Sequence, residues 1–97
     1  MPFVVAATWK AKSGEEEAVA AALSRLASAS RAEPGMLLYQ LHRDPADQRV
    51  FFLYEQYVDQ AAYEAHTSSG HFERYALGDA IPRLEARERL FWETWEP

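Results

Sequence analysis

The stretch Glu33 to Tyr75, EPGMLLYQLHRDPADQRVFFLYEQYVDQAAYEAHTSSGHFERY, holds a chain break, two strand patterns, a turn and two helix starts in one run. Glu33-Pro34-Gly35 interrupts whatever precedes it. Leu37 to His42 and Val50 to Tyr57 are rich in β-branched and aromatic residues, and Arg43 to Gln48 between them carries Asp and Pro at turn positions. The two runs therefore pair as an antiparallel hairpin. Asp59 is placed to cap a short helix over Gln60 to His66, and Ser68 or Ser69 to cap another from about Gly70 to Leu77, ahead of the breakers Gly78 and Pro82.

Working outward, Phe3 to Lys10 alternates as a strand, with Phe3, Val5 and Trp9 on one face and Val4, Ala6 and Thr8 on the other. Ser13 and Glu16 have the spacing of a capping box, and Glu15, Glu16 and Glu17 favour the positive end of a helix starting near Gly14. Val19, Ala22, Leu23, Leu26 and Ser30 give that helix one apolar stripe. Arg87 to Trp95 reads as a last strand, with Leu90, Trp92 and Thr94 on one face. The order β-α-β-β-α-β is a ferredoxin-like α+β unit with an antiparallel sheet, one domain over residues 1–97. Its strands carry apolar residues on both faces, while helices cover only one. A second copy stacked sheet to sheet is the simplest cover, so a homodimer is expected.

The 97 residues carry 15 acidic against 10 basic side chains, a formal charge of −5 that argues against nucleic acid as a partner. No Cys is present, which removes thiol nucleophiles, disulfides and thiolate metal ligands and fits a reducing, cytoplasmic setting. The apolar start, Met1 to Thr8, is too short to span a membrane. A nucleotide fingerprint, a phosphate loop and a nucleophile elbow are all missing, so no organic cofactor is expected.

Candidates for chemistry concentrate in the opening stretch. His66 and His71 would point about 140° apart on one continuous helix, and can converge only if the chain bends at Ser68-Ser69-Gly70. Converged, they offer imidazoles that take a proton from an acidic substrate; otherwise they are capping or surface histidines. Glu55 lies in the apolar run Phe51 to Tyr57, where a buried carboxylate requires a polar partner, as catalytic base, substrate anchor or structural bridge. Tyr54 points to the opposite face from Glu55. Trp9, Tyr39, Tyr63, Phe72 and Tyr75, with Tyr57, offer rings for a flat aromatic cavity or simply for the core. Two histidines with a carboxylate could make a facial metal triad, but no His-x-Asp/Glu or His-x3-His spacing is present, so no metal is expected. Arg83, Arg87 and Arg89 form a local basic cluster that offers a site for an anionic ligand or, with Glu85 and Glu88 interleaved, a solvated ion-pair face, the second reading being preferred.

At Glu33-Pro34-Gly35, Tyr39, His42 to Pro45, Leu53-Tyr54-Glu55, Glu64-Ala65-His66 and His71-Phe72 the chain resembles the antibiotic biosynthesis monooxygenase family. The resemblance implies a dimeric α+β barrel with a cavity between helices and sheet in each subunit. It further implies, as in some members, cofactor-independent oxidation of a small aromatic, phenolic or quinol-type molecule by O2. On that frame His66, His71, Tyr54 and Glu55 are the catalytic candidates, with Tyr75 as a further orienting group, and Trp9, Tyr39, Tyr63, Phe72 and Tyr75 the substrate-binding ones. Related haem-degrading enzymes have an Asn, a Trp and an axial His where this chain has Ala7, His66 and Ala76, which counts against haem degradation. Two alternatives stand beside the oxygenase: an isomerase of a phosphorylated autoinducer-like sugar, whose pattern also resembles Tyr54-Glu55, His66 and His71, and a non-catalytic dimeric ligand-binding or stress-response module.

Overall fold

A computed structural model describes residues 1–96. Its elements run β1 (Phe3–Ala11), α1 (Glu16–Ser30), β2 (Met36–Arg43), β3 (Val50–Tyr57), α2 (Gln60–Thr67), α3 (Phe72–Ala80), a 3₁₀ turn (Ile81–Arg83) and β4 (Leu84–Glu93). The four strands form one antiparallel sheet in the order β2-β3-β1-β4, the ferredoxin-like α+β arrangement expected from the sequence.

Alternation decides what each strand shows to the helices. Val5, Ala7, Trp9 and Ala11 of β1 and Phe51, Leu53, Glu55 and Tyr57 of β3 are all buried on the helix side. The α1 stripe Val19, Ala22, Leu23, Leu26, Ala27 and Ser30 packs down on them. The hairpin joining β2 to β3 is closed by Asp44, whose Oδ1 accepts from the Ala46 N–H at 2.8 Å while its own N–H donates to the Val50 carbonyl at 3.0 Å.

Two local expectations are corrected. Ser13 makes no capping box: Gly14 takes φ +88°, the chain turns there, and Glu16 Oε1 accepts from Gly14 N–H at 2.8 Å instead. The second short helix is longer than expected and wound as a π-helix, passing through Gly78 to Ala80. Its i→i+5 bonding keeps Phe72, Ala76 and Ala80 together on the core side, and the two alanines let α3 approach α1 closely.

Among the described residues no helix covers the other face of the sheet. Leu38, Phe52, Leu90 and Trp92 stand there as an exposed apolar surface. Among the described residues no helix is long and apolar enough to cross a membrane.

Candidate active site

Between the helix face of the sheet and the helices α2 and α3 lies a small cavity that every strand helps to line. Trp9, Tyr39, Tyr63 and Phe72 wall it with rings. Glu55 reaches it from β3, and Arg87 and Arg89 from β4. The arginines arrive there by register: Arg89 pairs with Ala7 and Arg87 with Trp9, so both side chains share the helix side with those β1 residues. The enclosed space is about 20 Å³, which is room for roughly one water molecule.

Glu55 is 4% exposed, and its Oε1 accepts a 2.6 Å hydrogen bond from the Tyr57 hydroxyl. Burial pushes its carboxyl up to about 7, against the Tyr57 hydrogen bond and the Arg89 charge, which both pull it down. Tyr57 and Tyr39 are held firmly protonated, mainly by burial and then by the nearby Glu55 charge. Above the cavity the Tyr63 hydroxyl accepts from Arg89 Nη1 at 2.8 Å, which joins α2 to β4. The Trp9 indole N–H is buried without a partner among the described residues. An orphaned buried donor costs about 1–3 kcal/mol, and an oxygen in the cavity is the kind of acceptor that would relieve it.

His66 and His71 do converge, and the meeting point is a third residue. Glu33 Oε2 sits 2.7 Å from His66 Nδ1 and 2.5 Å from His71 Nε2. Backbone geometry aims all three. The Glu33 N–H donates to the Ser30 carbonyl at the end of α1, and the Met36 N–H donates back to Glu33. Asp59 Oδ1 caps α2 by accepting from Ala62 N–H at 2.9 Å, and Ser69 Oγ bridges the bend, donating to the His66 carbonyl and accepting from Phe72 N–H. Burial lowers the His66 pKa from its ordinary value, with the Glu33 bond opposing. Tyr39, Tyr57 and Phe72 pack their rings around His66 at centroid distances of 5.6, 5.6 and 5.2 Å.

The sequence-derived candidates thus separate into groups. Glu55, Trp9, Tyr39, Tyr63 and Phe72 come together at the cavity. His66 packs against the Tyr39 and Phe72 rings and His71 against His66, and neither histidine lines the cavity. Tyr54 is on the open sheet face, its hydroxyl accepting from Gln56 Nε2 at 2.9 Å. Tyr75 belongs to an outer groove beside Arg74 and Asp79. The expected Arg83-Arg87-Arg89 face divides: Arg83 pairs with Glu15 and Asp79, whereas Arg87 and Arg89 turn to the cavity. Glu33 was visible only as part of the Pro-Gly break; nothing local marks it as the partner of two histidines more than thirty residues away.

Residues 2–76 match the model of the family described as antibiotic biosynthesis monooxygenase. The chain belongs to that family. Arg87 and Arg89 lie beyond the matched stretch, so this part of the cavity is not covered by the family match. Among solved structures, PA3566 from Pseudomonas aeruginosa is 35% identical, with a TM-score of 0.90 over 98% of this chain and 95% of that one. Protein SO0527 from Shewanella oneidensis is 27% identical, with a TM-score of 0.86 over 94% and 88%. Rv0793 from Mycobacterium tuberculosis, 21% identical with a TM-score of 0.90 over 100% and 98%, supports the fold. The uncharacterised protein sll1783 of Synechocystis is 28% identical over 74 residues, and the match spans half the length of that curated relative.

Proposed function

We propose that this family member oxygenates a small phenolic or quinol-type molecule, with the substrate supplying the electrons and Glu55 acting as the base. The observation that carries this reading is a buried carboxyl with its pKa near 7, set in a small aromatic cavity. A base is most effective when its pKa lies near the working pH, so that ionised carboxylate and useful basicity coexist. The geometry favours Glu55 over His66 and His71, since both histidines direct their facing nitrogens to Glu33.

The chemistry follows from those positions. Glu55 takes the proton of a phenolic or enolic hydroxyl, and the resulting anion is held against the positive charges of Arg87 and Arg89. The electron-rich anion passes an electron to O2, and recombination of the two radicals forms a carbon–oxygen bond as a peroxide. Loss of water, with the proton returned by Glu55, leaves a carbonyl. The net change is CH2 plus O2 to C=O plus H2O. Trp9 N–H supplies a donor for a substrate oxygen, and the aromatic walls keep bulk water from the reactive anion. A substrate larger than water requires the cavity to widen, and Tyr63 and Phe72 are the walls carried by the helices rather than by the sheet.

The working unit is proposed to be a homodimer through the open face that carries Leu38, Phe52, Leu90 and Trp92, because an apolar surface of this kind is seldom left to water. Arg87 and Arg89 also favour a second reading, isomerisation of a phosphorylated sugar, since two cations suit a phosphate.

Oxygen uptake by protein stripped of metal and flavin, measured against hydroquinones, naphthols and anthrones, tests the oxygenase. Protein-dependent uptake above autoxidation, lost in Glu55→Gln, supports it. Turnover of a phosphorylated sugar under strict anaerobiosis, with no uptake on the panel, would transfer the assignment to the isomerase.

A further inference from the structure

The Glu33, His66 and His71 cluster stands outside the cavity, and the oxygenase reading gives it no role. Its three side chains come from three separate places, the turn after α1, helix α2 and the residue preceding α3. They offer one carboxylate oxygen and two imidazole nitrogens, all within 4.8 Å of one another. Two imidazoles and one carboxylate are a donor set that holds first-row transition metals, leaving the remaining coordination positions open to water or another ligand.

From this convergence we infer that Glu33, His66 and His71 form a binding site for one divalent first-row transition metal ion, of the class represented by Zn²⁺ and Fe²⁺. Hard cations such as Mg²⁺ and Ca²⁺ are disfavoured, because two of the three donors are nitrogens.

The rings of Tyr39, Tyr57 and Phe72 packed around His66 hold its imidazole in place, 1% exposed, so this ligand is preorganised. The other two are reachable, with side chains 13% exposed at Glu33 and 22% at His71. With each nitrogen on one Glu33 oxygen, at 2.7 and 2.5 Å, the widest gap in the set is that between the two imidazoles, which lies within 4.8 Å. Bonds of about 2.0–2.1 Å from a tetrahedral ion bring such nitrogens to roughly 3.4 Å. The closure falls to His71, the more exposed of the two rings, which lies next to Gly70 and the start of α3. Glu33 then moves from acceptor of two N–H groups to ligand, and each imidazole presents its lone pair where it had presented a proton.

The test is calorimetric titration of chelator-treated protein with Zn²⁺ alone, and with Mg²⁺ in parallel. The inference predicts one Zn²⁺ per chain, a rise in Tm on saturation, and no heat from Mg²⁺. His71→Ala and Glu33→Gln, both at partly exposed positions, should each weaken Zn²⁺ binding by at least the roughly 10–100-fold that loss of a ligand's outer partner costs. His42→Ala, at the third histidine and on the open sheet face, should leave it unchanged. Absence of Zn²⁺ binding, or binding retained in both cluster variants, would overturn the inference. Either outcome leaves the oxygenase reading to its own test, because Glu55 is not part of the cluster.

Discussion

Tyr57 donates a 2.6 Å hydrogen bond to Glu55, two residues away along the same buried face of β3. Alternation makes that contact, since residues i and i+2 of a strand share a side. It gives a carboxylate in an apolar strand one strong donor while leaving the group able to exchange its proton.

Stability should carry the mark of this burial. The folded Glu55 carboxyl lies near 7 against an ordinary value of 4.5, so between these pH values the folded state holds more protons than the unfolded one. Its contribution is fully present below about pH 4.5 and is lost as pH rises through 7. The gap corresponds to something on the order of 3 kcal/mol. Urea melts from pH 4.5 to 8 should show that decline, and Glu55→Gln should flatten it. Tyr57→Phe, which removes the bond favouring the carboxylate, should move the titration upward.

Trp9→Phe separates a packing role from a binding role. The indole N–H is unpaired in its buried position, so the smaller phenyl ring loses no hydrogen bond and should cost only the adjustment of its neighbours to the space left, about 1 kcal/mol. Affinity for an oxygen-bearing aromatic ligand should fall by about tenfold if that N–H supplies a hydrogen bond. Denaturant melts and ligand titration of the same variant check both halves.

Gly35, the residue just before β2, lies against Ala62 of α2. A Cβ built there would lie 2.5 Å from the Ala62 Cβ, and the Gly35 carbonyl also accepts from Val58 N–H at 2.9 Å. Gly35→Ala should therefore force the strand and helix apart and destabilise the fold by about 1–3 kcal/mol, read as a lower midpoint in urea.

The open sheet face should determine assembly. Trp92 is 58% exposed and sits beside Val4 in the sheet, in the same apolar surface as Leu90. Light scattering of the wild type should return twice the 11.1 kDa chain mass, and Trp92→Glu should shift the mass to that of one chain. A wild type that is monomeric at micromolar concentration would contradict the dimer.

Much of this was legible in the sequence because it depends on periods. The two-residue alternation of Phe51 to Tyr57 assigned Glu55 to the buried face and Tyr54 to the other, and the stripe from Val19 to Ser30 placed α1. Long-range placement was not legible. Arg87 and Arg89 sit among glutamates and read as a solvated surface until the β1–β4 register turns them toward Trp9 and Ala7. Glu33 is hidden by its neighbours Pro34 and Gly35, because its partners are set by the path of the chain rather than by spacing. The π-winding of α3 has no signature in Phe72 to Ala80, where Gly78 reads as a stop and the structure runs through it.

The pH dependence of kcat/KM for oxygen consumption, in wild type and Glu55→Gln, tests the central claim most directly. The account predicts a rate that climbs with pH through a midpoint near 7 in the wild type, and a fall of about 10²–10⁴-fold in the variant, with no such midpoint remaining. A folded Glu55→Gln protein that keeps the wild-type rate and profile would contradict Glu55 as the base.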